Sequence, residues 1–368
     1  MKGCLGVVCF FLFPVFILPC QGQARELTFT EILEQAVANS HDLTMSTLDV
    51  EISEQRLAEA GAMYWPTLSL RFTNEYLYDL SKEATGTVSV GETIIPGNDS
   101  TWQHSVALAA QYLLYDFGAR PRKYQNVERG VMLAGHTKAQ RLIDLKIEVL
   151  SLYGNGLRLH KQMEIWSSLL NLRQEVYQLT QRLVAAGNKG RLEQGNAAIS
   201  VAEALQTRET LRLEMADVLE KLTYYTGTSY QAGEVRFADF PAETGQEISA
   251  DVLNLPGIKA YDVAIAQKKT EYEIALRQWL PTFTLYSAYH LYGDDPTNFT
   301  GSIENLAEKN TTIGVMLNMN LFNGFSDRAK VARLDTELRR LQAEKAKKVA
   351  EDEQKLRSLA QKNLLAQV

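Results

Sequence analysis

This 368-residue chain contains no recognisable catalytic or metal-binding motif. The histidines show no His-x-x-x-His or His-Glu-x-x-His spacing, the arrangement that places two zinc ligands on one face of a helix. No Gly-x-Ser-x-Gly or Gly-x-Gly-x-x-Gly motif stands between a predicted strand and a predicted helix. The sequence therefore predicts that the chain is not an enzyme and has no metal site and no cofactor. The five histidines are His41, His104, His136, His160 and His290.

Two short motifs with chemical potential have simpler explanations. Asp294 and Asp295 stand in a Gly/Pro segment, which is more typical of a solvated turn than of two paired catalytic carboxylates. The Gly187-x-x-Gly190 segment around Lys189 lacks the Gly-Lys-Ser/Thr ending and the preceding strand of a phosphate-binding loop. It is typical of a turn, because glycine adopts positive φ without steric cost.

The first 24 residues have the layout of a secretory signal peptide. One lysine precedes an apolar run over residues 5–19, and small and polar residues follow, so cleavage is expected after Gly22 or Ala24. The run is shorter than the ~20 apolar residues of a membrane-spanning helix. A membrane anchor stays as an alternative, and so does a lipid-modified Cys20, although Pro19 stands where such a cleavage site usually has Gly or Ala.

The three cysteines, Cys4, Cys9 and Cys20, all lie in this leader. A chain cleaved beyond Cys20 has no thiol, which excludes disulfides, thiolate metal sites and cysteine nucleophiles. The net charge of −6 gives no basic footprint for a nucleic acid. We therefore expect an exported protein with no nucleic-acid partner.

Four runs of alternating apolar and polar residues predict β-strands at about residues 67–78, 104–115, 282–292 and 311–322. Each run is about ten residues long, the length with which a tilted strand crosses a bilayer. A half-buried strand of a soluble sandwich alternates in the same way, but the aromatic residues beside these runs favour a membrane barrel, whose interfaces carry aromatic girdles. The positions predicted to face lipid are Leu70, Val106, Leu108, Val315 and Leu317, and the predicted interfacial aromatics are Trp65, Tyr76, Tyr112, Trp279 and Tyr289.

Between the second and third strands, apolar residues at 3,4 spacing predict two long helices. The chain from Gly118 to Gly187 would extend roughly 100 Å as one continuous helix, at about 1.5 Å per residue. The glycines of Arg182–Asn196 predict a tip turn, and the returning helix is expected to end at Thr226-Gly227. Gly154-Asn155-Gly156 weakens the middle of the first helix and marks either a kink or a close backbone contact.

The chain then repeats this order of elements. The segment YWPTLSL at Tyr64–Leu70 returns as WLPTFTL at Trp279–Leu285, and more than half of the chain separates Pro66 from Pro281. Solenoid repeats have periods of about 20–50 residues, so this much larger spacing predicts duplication of a whole structural unit. We divide the chain into a signal peptide (1–24), a first repeat (25–255) with a helical hairpin at about 118–227, and a second repeat (256–368).

The ordered set of motifs over residues 27–368 resembles the TolC-like outer-membrane efflux protein family. Leu27–Leu43 (LTFTEILEQAVANSHDL) is similar to the amino-terminal signature of that family. Ala60–Leu70 (AGAMYWPTLSL) and Arg277–Leu285 (RQWLPTFTL) are similar to its two strand starts, and Arg182–Gly190 (RLVAAGNKG) is similar to its helical-tip motif. Each motif alone is loose, but the ordered set is specific. The chain has Ser40-His41 where the family usually has Pro.

The resemblance implies a mainly α protein with a membrane β-barrel portion. In this TolC-like fold, a duplicated helix–strand–strand–helical hairpin unit gives each protomer four strands. A trimer then forms a 12-stranded barrel and a periplasmic α-helical tunnel. The implied function is the outer-membrane channel of a tripartite efflux or type I secretion system, a passive exit duct for small molecules or proteins. The implied location is the outer membrane of a Gram-negative type bacterium, with the tunnel extending into the periplasm.

The resemblance also implies partners and a docking site. The expected partners are two further copies of the chain in a homotrimer, a periplasmic adaptor (membrane fusion) protein, an inner-membrane pump and outer-membrane lipid. Ala186, Gly187 and Asn188 match the tip motif with which the family docks the adaptor hairpin. The alternative is a secreted or lipidated periplasmic coiled-coil scaffold without transport activity, which accounts for the helices but not for the alternating strands.

The second repeat is expected to be incomplete. The segment that follows Gly324 is clearly shorter than the segment between Gly118 and the tip at Gly187, which predicts either an incomplete sequence or a family member truncated at its carboxyl end. The apolar residues of this last helix follow 3,4 spacing and are expected to lack a partner helix. They include Val331, Leu334, Leu338 and Leu341.

Overall fold

The computed structural model describes residues 25–77, 87–90, 93–96, 101–231, 233, 235–240, 251–295, 298–306 and 308–366. The predicted leader and its three cysteines lie outside these residues. The chain divides into two compact units. The first unit takes its residues from Met1–Leu43 and Leu142–Gln246, and the second unit takes its residues from Thr44–Arg141 and Glu247–Val368.

The chain is rich in helices. No helix in the described part of the chain is both long enough and apolar enough to span a membrane. The helices are α1 (Phe29–Asn39), α2 (His41–Gly61), α3 (Ala119–Ala185), α4 (Arg191–Thr226), α5 (Pro256–Ala275), α6 (Phe299–Glu304) and α7 (Ser326–Ala366). The strands are β1 (Arg25–Leu27), β2 (Thr67–Leu77), β3 (Thr87–Val90), β4 (Thr93–Pro96), β5 (Thr101–Tyr115), β6 (Val235–Phe237), β7 (Thr282–Asp295) and β8 (Glu308–Asn318).

The first unit packs α1, α4 and the later part of α3 around the small parallel pair β1–β6. Thr28 caps α1, because its side chain accepts a hydrogen bond of 3.3 Å from the backbone N–H of Glu31. The core is apolar and fully buried around Tyr153. The Tyr153 hydroxyl lies 2.9 Å from the carbonyl of Leu27 and 2.6 Å from that of Ala238, and burial raises the pKa of Tyr153.

Gly156 is the site of a close contact in this core. A Cβ atom placed on Gly156 would stand 2.5 Å from Cζ of Phe237, which is closer than real Cβ contacts come. Gly154 has no atom within 4 Å of the corresponding position. Of the two explanations that the sequence left open for these glycines, the close contact is therefore the one found at Gly156.

The second unit is built on a four-stranded antiparallel sheet in the order β2-β5-β7-β8. In the same unit, helix α5 packs against α7. Leu334 of α7 is 3% exposed, and Val331, Leu338 and Leu341 are half-buried. The expectation that this apolar seam lacks a partner helix is therefore wrong, because α5 is its partner.

Three parts of the sheet differ from the sequence prediction. Strand β7 continues to Asp295, past its predicted end at about residue 292, because its last residues pair with Trp102–His104 of β5. The segment between β2 and β5 contains the β3–β4 hairpin, and the segment between β7 and β8 contains α6, which the side chain of Asn298 caps. Strand β8 ends at Asn318 instead of about residue 322.

Both strand-to-helix turns contain two consecutive residues with positive φ. Phe117 and Gly118 have φ of 54° and 78°, and Gly324 and Phe325 both have φ of 67°. Two consecutive left-handed residues turn the chain from strand to helix, and each turn uses one glycine, the residue for which positive φ has no steric cost. The second unit therefore contains the duplicated turn that the sequence repeat predicts.

Candidate functional surfaces

The four-stranded sheet has one apolar face. In the observed register, Leu70 lies opposite Leu108, Val106 lies opposite Leu291, and Val315 lies opposite Leu285. Side chains alternate between the two faces of a sheet, so all five positions predicted to face lipid share one face. Leu70 is 72% exposed and Val315 is 59% exposed. The part of the chain that the structure describes leaves these side chains exposed, and the free energy of burial favours an apolar partner for them.

The opposite face is polar and carries small residues. Gly314 lies opposite Tyr286, whose ring fills the space that a side chain at Gly314 would need. A sheet with one apolar and one polar face fits between an apolar medium and water. The polar face includes Ser69, Arg71, Thr73, Glu75, Ser105, Ala107, Gln111, His290, Asn310 and Thr312.

The two outer strands of this sheet are β2 and β8. Each has one neighbour in the sheet, so the backbone N–H and C=O groups along its outer edge are available for pairing with another strand. In lipid such groups each cost several kcal/mol if they stay unpaired. The sheet is therefore compatible with a membrane only when both edges find strands.

The predicted interfacial aromatics occupy different places. Tyr76 contacts Trp102 with ring centroids 4.7 Å apart near the loop end of the sheet. Trp279 precedes β7 and is exposed. The ring of Tyr112 lies near the guanidinium of Arg120, at the start of α3. Tyr289 lies in the middle of β7, opposite Leu108 and Thr311, and not at a strand end. The interfacial role of these side chains stays a prediction.

A cavity of about 290 Å³ lies where the sheet meets the helices, and we call it the junction cavity. It is lined by Trp65, which is 74% exposed, together with polar-face residues and two cations. The guanidinium of Arg120 lies 4.9 Å above the Tyr64 ring and 5.7 Å from the Tyr112 ring, as in a cation–π interaction. The remaining lining residues are Ala62, Met63, Thr67, Gln111, Leu113, Asp116, Lys123 and Thr284.

At the other end of the sheet, α6 covers His104. The His104 ring is 1% exposed, and its Nδ1 lies 2.6 Å from Oγ of Ser302. Phe299 of α6 contacts the rings of both Trp102 and His104. Helix α6 thus lies over the side of the sheet that carries the apolar residues, because His104 lies between Trp102 and Val106 in the alternation of β5.

The turn between α3 and α4 is the predicted adaptor-docking tip, and all three of its residues are exposed. Asn188 N–H donates to the carbonyl of Leu183 at 2.8 Å, and Gly187 N–H donates to the carbonyl of Val184 at 3.0 Å. These two bonds form a Schellman motif, in which the residue after the helix takes the left-handed conformation. Gly187 is that residue, with φ of 73°, and no atom lies within 4 Å of where its Cβ would be. Ala186 precedes it at the end of the helix.

Charged side chains join α5 to α7. Lys268 Nζ lies 2.7 Å from a carboxylate oxygen of Glu271 and 3.2 Å from one of Glu337, which Arg333 also contacts at 2.5 Å. The bonds to Glu271 and Glu337 raise the pKa of Lys268. The bonds from Lys268 and Arg333 lower the pKa of Glu337.

Within the described ranges, no three His, Cys, Asp or Glu side chains come together as metal ligands. Sequence reasoning missed Arg120 and His104 as parts of clusters. Arg120 stands in the helix start next to a turn, and nothing in its spacing shows that two tyrosines from distant segments meet its guanidinium. The sequence does contain one sign of α6, since asparagine, here Asn298, is a preferred residue at a helix start. Helix α6 has six residues, too few to show a helical spacing of apolar side chains.

Comparisons with known proteins agree on one family and one fold. A family model described as outer membrane efflux protein matches residues 32–228. Among solved structures, the CmeC outer membrane channel of Campylobacter jejuni superposes with a TM-score of 0.74 at 13% identity, over 88% of this chain and 68% of that one. The outer membrane protein VceC of Vibrio cholerae has a TM-score of 0.72 at 14% identity, over 88% of this chain and 75% of that one.

A third solved structure, CusC, has a TM-score of 0.71 at 17% identity, over 92% of this chain and 75% of that one. At such identities the solved structures show a shared fold. No curated protein matches the sequence. The TolC-like fold that the motifs predicted is thus confirmed by the superpositions, and the match of the family model covers more than half of the chain.

Proposed function

Because the chain belongs to the outer membrane efflux protein family, we propose that it is the outer-membrane channel of a tripartite efflux or type I secretion system. Membership in this family supports a transport role in the outer membrane. In the proposed system it is a passive exit duct for small molecules or proteins, and an inner-membrane pump supplies the driving force.

The observation that carries this proposal is the exposed apolar face of a sheet with two open edges. Four strands cannot close a barrel, and open edges are not stable in lipid because their backbone groups stay unpaired. Three copies supply twelve strands, enough to close a barrel with the apolar face outward and the polar face toward a water-filled interior. We therefore propose a homotrimer, in which the outer surface contacts outer-membrane lipid.

The helices supply the rest of the duct in this proposal. Helices α3 and α4 form a hairpin that extends the channel wall into the periplasm, and the exposed tip at Ala186–Asn188 is the docking point for a periplasmic adaptor protein. Support comes from the open space around Gly187, which allows the backbone of a partner to approach closely. The adaptor then connects the duct to the inner-membrane pump.

Membrane extraction and electrical measurements test the proposal together. Carbonate washing should leave the chain in the outer-membrane fraction, and the detergent-purified protein should be a trimer that gives stepwise conductance in planar bilayers. A periplasmic coiled-coil scaffold would instead be released by carbonate and would give no conductance. Release of the folded chain into the wash would overturn the channel assignment.

A further inference from the structure

We propose that β8 of one copy pairs antiparallel with β2 of a second copy in a single register that places Asn318 opposite Arg71 and Leu317 opposite Phe72. The same pairing extends β8 through Phe322. This inference rests on the proposed trimeric channel and adds to it the residue contacts that close the barrel between copies. It is derived from the way the two repeats pair with each other inside one chain.

The two repeats pair their own strands in the same register. In the first repeat Thr67 lies opposite Gln111, and in the second repeat Thr282 lies opposite Asn318. Further along, Leu70 lies opposite Leu108, and the matching pair is Leu285 and Val315. Strand β7 is therefore equivalent to β2, and β8 is equivalent to β5, residue by residue.

The turns fix the same equivalence independently. Phe117 follows Gln111 by six residues and begins the first left-handed turn, and Gly324 follows Asn318 by six residues and begins the second. Gln111 and Asn318 are thus equivalent both in strand pairing and in their distance from the turn.

Strand β5 shows how one repeat joins the next. Its second edge pairs with β7, the first strand of the other repeat, so that Gln111 lies opposite Tyr286 and Ala110 lies opposite Ser287. The second edge of β8 has no corresponding strand in the sheet. By equivalence its neighbour is the first strand of another repeat, which is β2 of a second copy. Tyr286 corresponds to Arg71 and Ser287 to Phe72, which gives the proposed pairs.

The short length of β8 supports this assignment. Strand β5 runs to Tyr115, and beyond Gln111 only β7 pairs with it, because β2 starts at Thr67. The residues of the second repeat that correspond to this end of β5 lie beyond Asn318. They could pair only with a strand at the outer edge of β8, which the sheet lacks, and β8 stops at Asn318. The four residues of Met319–Phe322 are all exposed, with Leu321 84% exposed. They have the position of paired strand residues but no partner within the sheet.

The proposed register also agrees with the faces of the sheet and with the junction cavity. Leu317 and Phe72 both belong to the apolar face, whereas a shift by one residue would place apolar side chains among polar ones. Continuing the pairing places Asn320 opposite Ser69 of the second copy, so that the segment after it lies beside Thr67, which lines the junction cavity. The end of β8 of the first copy therefore lies at the junction cavity of the second copy, where Arg120 Nε has no hydrogen-bond partner among the described residues.

Disulfide cross-linking of the full-length protein in isolated outer membranes tests the register. Directly opposite residues have Cα atoms about 4.5–5.5 Å apart, within disulfide range, whereas diagonal neighbours are about 7–8 Å apart and beyond the usual limit. The double variant Arg71→Cys/Asn318→Cys should give covalent dimers and trimers with copper phenanthroline. The shifted pairs Arg71→Cys/Met316→Cys and Arg71→Cys/Asn320→Cys should give only the background of the single-cysteine variants.

A second in-register pair, Thr73→Cys/Met316→Cys, repeats the test at another height and does not depend on tolerance of a change at Arg71. Efficient cross-linking of a shifted pair in a trimeric, membrane-inserted protein would overturn the register and leave the channel proposal standing. A monomeric protein that no pair cross-links would overturn both, and size-exclusion chromatography of the parent chain separates that outcome from the first.

Discussion

The ring of Phe237 lies against the backbone of Gly156, with Cζ 2.5 Å from the point where a Cβ atom would stand. Phe237 is the last residue of β6 and is almost fully buried. Its ring also contacts Tyr153, one helical turn before Gly156, at a centroid distance of 5.4 Å. The contact fixes β6, and through it β1, against α3, so glycine is required at residue 156 for packing and not for backbone freedom.

Replacing Gly156 with alanine should destabilise the first unit. The added methyl group overlaps a buried ring, and overpacking of this kind typically costs about 1–3 kcal/mol. Gly154→Ala is the matched control on the same helix, because its Cβ enters open space and alanine is favoured over glycine in helices by about 0.5–1 kcal/mol. Thermal unfolding followed by circular dichroism should show a lower Tm for Gly156→Ala only. Equal Tm values for the two variants would contradict the packing explanation.

Val315→Arg should impair assembly in the outer membrane. An arginine on the lipid side of a barrel strand costs roughly 2–4 kcal/mol near the middle of the bilayer. Met316→Arg is the control, since Met316 is the next residue of β8 and lies on the polar face opposite Thr284. Quantifying trimer in outer-membrane fractions should show a loss for Val315→Arg and near-parent levels for Met316→Arg. The reverse order would mean that the two faces are assigned the wrong way round.

The tip variants separate backbone conformation from docking. Gly187→Val introduces bulk and also a side chain that disfavours positive φ, while Gly187→Asn introduces bulk in a residue that tolerates this conformation. Ala186→Trp adds bulk before the left-handed residue. If the tip docks an adaptor, all three should lose cross-linking to it while trimer levels in the membrane stay at the parent value. Loss confined to Gly187→Val, with reduced trimer, would show that Gly187 serves only the turn.

The pH dependence of the α5–α7 contact should depend on Glu337. Lys268 and Arg333 lower the pKa of its carboxyl, so the stabilisation is present above the ordinary carboxyl pKa and is lost as the pH falls through the lowered value. Glu337→Gln should flatten the dependence of Tm on pH in this acidic range. Glu353→Gln is the control, because Glu353 pairs at 3.2 Å with Arg357 of the same helix, and this ion pair does not join α7 to α5. An unchanged pH profile for Glu337→Gln would rule out this contribution.

Sequence patterns predicted the parts of the fold that repeat over many residues. Alternation along each run predicted β2, β5, β7 and β8, and the 3,4 spacing predicted α3 and α4 with a tip turn at Gly187. The paired strands β1 and β6 were not predicted, because three residues are too few to show an alternation of apolar and polar side chains. The end of β8 was placed too late for a different reason: alternation continues through Phe322, but a strand also needs a neighbour, which is absent from the sheet of a single chain.

The functional surfaces were predicted to a similar degree. Alternation identified the side chains of the apolar face, and the tip motif identified three exposed turn residues. Arg120 was not predicted, because its contact with Tyr64 and Tyr112 depends on how a helix start, a helix end and a strand meet in space. The close contact of Gly156 was left open for the same reason, since Phe237 lies beyond the whole returning helix α4 along the chain.

The pairing of β1 with β6 sets a constraint on the order of folding. Arg25 faces Val235 across this small parallel sheet, although more than half of the chain separates the two residues. An exported polypeptide emerges from the translocation pore amino end first, so β1 appears in the periplasm long before the strand it must join. Closing a loop of this length costs roughly 5 kcal/mol of chain entropy, which disfavours early contact. We therefore expect β1 to reach its final place only after β6 has entered the periplasm.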